Sequence, residues 1–337
     1  MTNTLLIGIV AGLAAALLFA TAAVGSVPVR LVVVMFTGLP LVIAGMGWGR
    51  VAAGIGALSG ALALLAAVNP SFSLAFLVSQ AIPLVYLVHL SGLSRVVPAA
   101  AGAARLASGP ATTEWYPAGG VVAAAAIMSG LLALGLMLML GPDMSQIKSS
   151  LRGFAESFAT KMFPEIAGGR TLNENEIAEL AEISLLLLPA AMALSVMATM
   201  LFNVWLGSRL ALAGGVLSRP WPDLSLLTLP RALPALFALA TIGTFFTGYT
   251  GLLAAAFFGA LFFAFVLVGL AVIHNVTRGH PWRSFALWGI YGAVIVFSSL
   301  AMPLIAVLGL ADGIRPLRPS GGPSPPHPSA GAGPPTP

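Results

Sequence analysis

From Thr250 to Asn275 the chain runs for 26 residues without one charged side chain. A helix of that length is about 39 Å long, more than the ~30 Å of hydrocarbon in a bilayer. Similar apolar runs occupy 4–25, 29–48, 51–68, 71–90, 119–141, 178–210, 232–248 and 284–311, and the run at 250–275 makes nine. Charged residues make up 7% of the chain and the mean hydropathy is +1.00. Soluble domains carry about 25% charge, so the charges here are too few to cover the outside of a water-soluble fold. The sequence predicts an all-α, polytopic transmembrane bundle of about nine spans, with eight as the alternative. Each span is expected to be helical, because lipid offers backbone polar groups no partner outside their own segment.

Two runs are weak. The run 232–248 is short and holds Thr241, Thr244 and Thr247, and 29–48 carries Pro40 near its middle, where it can break or kink a helix. The first run lacks a basic leader and is too long for a signal-peptide core, so it reads as a first span. The domain reading is five membrane helices in 1–141, an amphipathic insert at 142–177, four membrane helices in 178–311, and a Pro/Gly/Ser-rich tail at 315–337 expected to be disordered.

Single arginines mark the loops: Arg50; Arg95 and Arg105 in 91–118; Arg209, Arg219 and Arg231 in 209–231; Arg278 and Arg283 in 276–283. With nine spans these fall on one side, which the positive-inside rule makes cytoplasmic. The N-terminus is then inside and the C-terminus outside. Arg315 and Arg318 favour the eight-span alternative with an internal C-terminus.

The insert lies on the opposite face. Met144, Ile147, Leu151, Phe154, Phe158 and Met162 recur at helical spacing, and Lys148, Arg152, Glu156 and Lys161 take the other positions. Such a helix lies on the membrane surface or packs on the bundle as a cap or connector. After it, Asn173 and Glu176 have the spacing of a capping box, and Glu174, Glu176, Glu179 and Glu182 suit a helix N-terminus. A helix over 173–210 would be about 57 Å long, so its first turns project beyond the membrane as an acidic stalk kinked at Pro189.

Candidate functional residues are sparse. The stretch Phe36 to Leu62 holds seven glycines. Gly45, Gly47 and Gly49 do not form a nucleotide loop, since no strand precedes them and no Gly-Lys-Ser/Thr follows. Ala52, Gly56 and Gly60 form one small-residue stripe, and Ala11, Ala15, Ala16 and Ala20 form another. Small residues at this spacing let helix backbones approach closely. They serve either packing within the bundle or a docking face for another membrane protein. Gly38, Pro40, Gln80 and Asn203 are the candidates for a ligand cavity, since a broken helix and intramembrane amides are where ligands bind. His274, beside Arg278, reads as interfacial. No HExxH, GxSxG, paired intramembrane carboxylates or His cluster occurs. The chain has no cysteine. No catalytic, metal or cofactor-binding residue is therefore assigned, and an enzyme is not expected. The expected partners are the lipid bilayer and a membrane protein docked through the small-residue faces. The net charge of +5, spread singly, does not indicate nucleic acid.

The stretch "GLAVIHNVTRGHPWRSFALWGIYGAVIVFSSLAMPLIAVLGLADGIRPLR" (269–318), with Asn203 to Arg209 and "RPWPDLSLLTLPRALP", resembles the YybS-like family of bacterial inner-membrane proteins. That family has a domain of unknown function. Its members often carry richer Lys/Arg clusters than the single arginines here. The stretch "FTGLPLVIAGMGWGRVAAGIGALSGAL" is similar to the second and third helices of S components of energy-coupling-factor vitamin transporters. That likeness implies a substrate cavity among the first six spans, and a docking role for Ala11, Ala15, Ala16 and Ala20. The expectation is a small-molecule-binding, transport-related protein of the bacterial inner membrane. The alternative is a membrane scaffold that recruits envelope partners through 142–182.

Overall fold

The computed structural model describes residues 2–24, 26–97, 112–141, 143–162 and 173–318. Among them the architecture is an all-α bundle with a single two-stranded β-hairpin. The first helices are α1 (Thr2–Val24), α2 (Val27–Phe36), α3 (Leu39–Trp48), α4 (Arg50–Ala67), α5 (Pro70–Phe76) and α6 (Ile82–Ser91). Strands β1 (Ser94–Val97) and β2 (Thr112–Trp115) pair antiparallel, with Arg95 opposite Glu114. The chain continues through α7 (Ala118–Leu138), α8 (Met144–Met162), α9 (Glu174–Ala213), α10 (Leu233–Gly243), α11 (Gly248–Val276), α12 (Arg283–Val296) and α13 (Ser298–Ile314). Seven helical stretches among the described residues are long and apolar enough to cross a membrane, with α2–α3 and α5–α6 each counted as one stretch.

The uncharged run 250–275 becomes α11, which stands at the centre. It packs against α7, α9, α10 and α13. Glycines set how closely these neighbours approach. A side chain at Gly259 would strike the Ala190 carbonyl of α9, and one at Gly309 of α13 would strike the Phe265 carbonyl of α11. One buried cluster runs from Val42 of α3 to Ala306 of α13. The N- and C-terminal membrane helices therefore share a core.

The two small-residue stripes meet each other. A side chain at Gly12 would lie 2.1 Å from the Gly56 carbonyl oxygen, and one at Gly60 would lie 2.7 Å from the Gly12 carbonyl oxygen. Ala11, Ala15, Ala16 and Ala52 are buried, Gly56 and Gly60 with them, and Ala20 is half-buried. The Ser59 hydroxyl donates across the seam to the Ile9 carbonyl at 3.4 Å. These surfaces are turned toward helices of the same chain. The flanks of α1 facing outward carry Leu5, Leu6, Val10, Leu13 and Leu17 instead.

The insert packs on the bundle. Ile147 and Leu151 of α8 are buried against Leu252 of α11, with Leu185 and Leu188 of α9 beside them. Lys148 pairs with Glu182 at 2.7 Å, and Arg152 pairs with Glu174. Two of the stalk glutamates thus hold the cap down. The side chains of Phe154, Phe158 and Met162 lie outside the described residues. The capping box is present: the Asn173 side chain accepts from the Glu176 amide at 2.9 Å, and Glu176 accepts from the Asn173 amide at 2.8 Å. Helix α9 runs 40 residues with Pro189 inside it.

One expectation is corrected at the C-terminal end. The run 284–311 is not one span, for the helix breaks at Phe297 (φ −122°, ψ 44°) into α12 and α13. Arg318 is buried, paired with Asp312, and donates to the carbonyls of Ser225 at 2.8 Å and Leu227 at 2.9 Å. Residues 315–318 therefore lie against the 214–232 loop. The rest of the expected disordered tail, from 319 on, lies outside the described residues. Helix α10 has only 11 residues, yet it runs antiparallel beside α11, with Phe237 stacked on Phe258 at 5.4 Å and Gly243 against Ala254.

The α1–α4 seam yields a direct test. Gly12→Ala forces the two backbones apart and is expected to destabilise the protein by about 1–3 kcal/mol, as overpacked sites do. Gly54→Ala faces open space and is expected to be harmless. Thermal unfolding of both variants in detergent compares them.

Candidate functional site

Two prolines interrupt helices inside the bundle. Pro40 has no amide hydrogen to give the Phe36 carbonyl, and its ring crowds that same group. Helix α2 therefore stops at Phe36, and its last turn tightens, with the Thr37 amide bonding the Val34 carbonyl at 3.3 Å. Thr37 is buried, and its hydroxyl returns to the Val33 carbonyl at 3.1 Å. After Gly38 the chain restarts as α3. The break expected at Pro40 is thus present. Pro83 acts in the same way on the Ser79 carbonyl. The turn before it, Leu77–Ala81, widens to a π-helix in which the Ile82 amide reaches back to Leu77. Such turns recur at functional sites. This second discontinuity was legible in Pro83, but a span read by hydropathy alone passes over it.

The two interruptions touch. A side chain at Gly38 would meet Leu84 at 1.9 Å and the Gln80 amide oxygen at 3.6 Å. Gln80 lies in the π-turn and is half-buried. Asn203 approaches from α9. It is fully buried, and its Nδ2 donates to the Met35 carbonyl at 2.8 Å and to Thr199 at 2.7 Å. Met35 lies in the last turn of α2, so the amide occupies a carbonyl that the broken helix no longer serves. The Asn203 Oδ1 is buried and has no hydrogen-bond partner among the described residues. Around it, Phe202 packs edge-on to Phe36 at 5.6 Å. Gly38, Pro40, Gln80 and Asn203, scattered through the sequence, therefore surround one break.

The loops carrying single arginines gather at one end of the bundle. Arg278 forms a two-pronged pair with Asp223, at 2.9 Å to Oδ2 from both terminal nitrogens. Arg219 donates to the Ser91 carbonyl at 2.9 Å and lies 5.8 Å over the Trp115 ring. Arg209 lies 4.3 Å over Trp221, and Arg95 pairs with Glu114 at 2.7 Å. The hairpin, the 214–232 loop and the turn after α11 thus form one basic face, as the loop charges imply. His274 binds the Tyr291 hydroxyl at 2.9 Å near this face. Asp223 is held well below the usual carboxylate range, at about 2, chiefly by the Arg278 hydrogen bonds.

The family described as "Predicted membrane protein (DUF2232)" matches residues 111–313. The chain belongs to this family. The matched range opens just before β2 and closes near the end of α13, so in this DUF2232 protein it includes Asn203 and the 214–232 and 276–283 loops and leaves α1–α6 and β1 outside. No curated protein and no solved structure matches the chain.

Two outcomes follow from this geometry. Asn203→Leu keeps the branching and the number of heavy side-chain atoms but strips the donor from the Met35 carbonyl. It is expected to cost about 1–3 kcal/mol, the penalty for an unsatisfied buried polar group, read as a lower unfolding temperature in detergent. Asp223 is ionised in the folded protein down to about pH 2, against about 3.9 when unfolded. A depressed carboxylate stabilises the fold fully above the unfolded value, and that contribution fades as pH falls through the folded one. The difference in melting temperature between wild type and Asp223→Asn is therefore expected to be constant near neutrality and to shrink between about pH 4 and 2.

Proposed function

We propose that this DUF2232 protein binds a small solute between its membrane helices, as a transport-related subunit of the bacterial inner membrane, and is not itself a catalyst. The observation that carries this reading is the contact between the two proline-made interruptions, at Gly38–Pro40 and at Leu77–Ala81, with the unpartnered Asn203 Oδ1 beside them. Discontinuous helices inside a bundle expose backbone groups to a substrate, and membrane transporters build their sites from them. A buried, unanswered amide oxygen is a ready acceptor for a hydroxyl or amine on a ligand. The likeness of Phe36–Leu62 to S components, and the YybS-like resemblance, point the same way. The positive-inside rule puts the basic face in the cytoplasm. The scaffold alternative draws less support, because Lys148 and Arg152 of the insert are already paired with Glu182 and Glu174 of the same chain.

A thermal-shift screen of the purified full chain against vitamins and lipids tests the proposal. At least one class is expected to raise the melting temperature, and Gln80→Ala and Asn203→Ala are each expected to diminish that shift. The reading fails if nothing shifts the wild type, or if the shift survives intact in both variants.

A further inference from the structure

A cavity lies apart from the helix break, at the basic face. Its volume is about 220 Å³, and it is lined by Gly45, Met46, Gly49 and Arg50, by Val88, His89, Ser91 and Gly92, and by Ser218 and Arg219. It is bounded by the end of α3, the start of α4, the end of α6 and the 214–232 loop. Drug-sized sites occupy about 300–1,000 Å³, so this one suits an ion or a headgroup.

Its chemistry is one-sided. Arg219 and Arg50 line it, His89 joins them, and no carboxylate is among the lining residues. The nearest loop acids are engaged elsewhere: Asp223 with Arg278, Glu114 with Arg95. Arg219 is half-buried and held in place, with one terminal nitrogen fixed on the Ser91 carbonyl at 2.9 Å. Its Nε is buried and has no hydrogen-bond partner among the described residues. A shielded guanidinium N–H without an acceptor costs free energy unless an acceptor arrives from outside the chain. Ser218 does not supply one, since its hydroxyl and its amide both go to the Met46 carbonyl, at 3.2 and 3.3 Å. Arg50 is exposed at the rim and makes no ion pair among the described residues. Gly45, Gly49 and Gly92 line the cavity together with Met46 and Val88. Gly49 has φ +91°, a conformation that suits glycine, and so it brings the chain round from α3 into α4.

We propose that this cavity binds a phosphate-bearing anion, gripped by Arg219 from the loop and Arg50 from the start of α4. Guanidinium forks match phosphate oxygens in geometry as well as charge. The site opens where the helices of the bundle end, so its phosphate comes either from an anionic lipid headgroup or from a free phosphate in solution. The assignment is independent of the solute site at the helix break, because it shares no residue with Gly38, Gln80 or Asn203.

The experiment uses the purified full chain with two probes. One is inorganic phosphate added to protein in neutral detergent, read by thermal shift and titration calorimetry against chloride. The other is reconstitution into phosphatidylcholine vesicles with and without phosphatidylglycerol, followed by native mass spectrometry of lipid retained on the protein. Retention of phosphatidylglycerol with no response to phosphate assigns a lipid headgroup, and the reverse assigns a free phosphate. Arg50→Gln and Arg219→Gln are each expected to weaken binding roughly ten-fold or more, the loss of one charge-assisted hydrogen bond. Arg50 sits at the rim without a structural bond, so its variant keeps the test sound if Arg219→Gln fails to fold. The proposal is overturned if neither probe binds, or if binding is unchanged in Arg50→Gln.

Discussion

Everything in this bundle depends on one rule of the hydrocarbon phase: a backbone polar group with no partner finds no water to replace it. Pro40 and Pro83 each withdraw a donor from a carbonyl inside the membrane-crossing region, and the chain adjusts differently around the two interruptions. At Pro83 the ladder shifts by one residue and a π-turn absorbs the extra length. At Pro40 the helix stops, and a side chain from 168 residues away donates to the Met35 carbonyl in the last turn before the break. Asn203 is therefore an element of secondary structure held on another helix.

The second governing factor is distance. Lipid tails are as apolar as leucine, so helices do not associate by expelling water from one another. What remains is close contact, and the chain obtains it with glycine and alanine. The α1–α4 seam and the crossings of α11 with α9 and α13 all place a glycine against a backbone carbonyl. The leucines and valines that fill other cores are displaced outward, where Leu13, Leu17 and Leu58 are exposed to the surrounding phase.

How far the sequence disclosed this structure varied with the kind of signal. Hydropathy located the long helices, since a run such as 250–275 has no other stable fate. Capping chemistry located the start of α9, because Asn173 and Glu176 satisfy each other within four residues. Proline marked the break at Gly38. Hydropathy failed where length and direction separate. The run 284–311 is apolar throughout, yet it folds as two helices, and the segment after it packs on the Ser225 and Leu227 carbonyls. Asp312 and Arg318 held the information, but their pairing becomes visible only when the Ser225 and Leu227 carbonyls stand beside them. The residues around the helix break could be chosen one by one as intramembrane amides and glycines. That they meet at one place depends on how α9 packs against α2, which no local pattern encodes. The basic cavity went unseen for the same reason: Arg50, His89 and Arg219 are ordinary loop and helix-end residues until the fold closes them around a shared space.

Helix α9 has one further consequence. At 40 residues it is about 60 Å long, and it reaches every level of the molecule. Its first turn is pinned to α8 through Glu174, its middle abuts Gly259 of α11, Asn203 grips the end of α2, and Arg209 lies over Trp221 on the basic face. A rod fastened at both ends and in the middle cannot tilt at one of these places alone. The residue that pairs with α8 and the residue that bonds the interrupted α2 thus sit on one continuous helix.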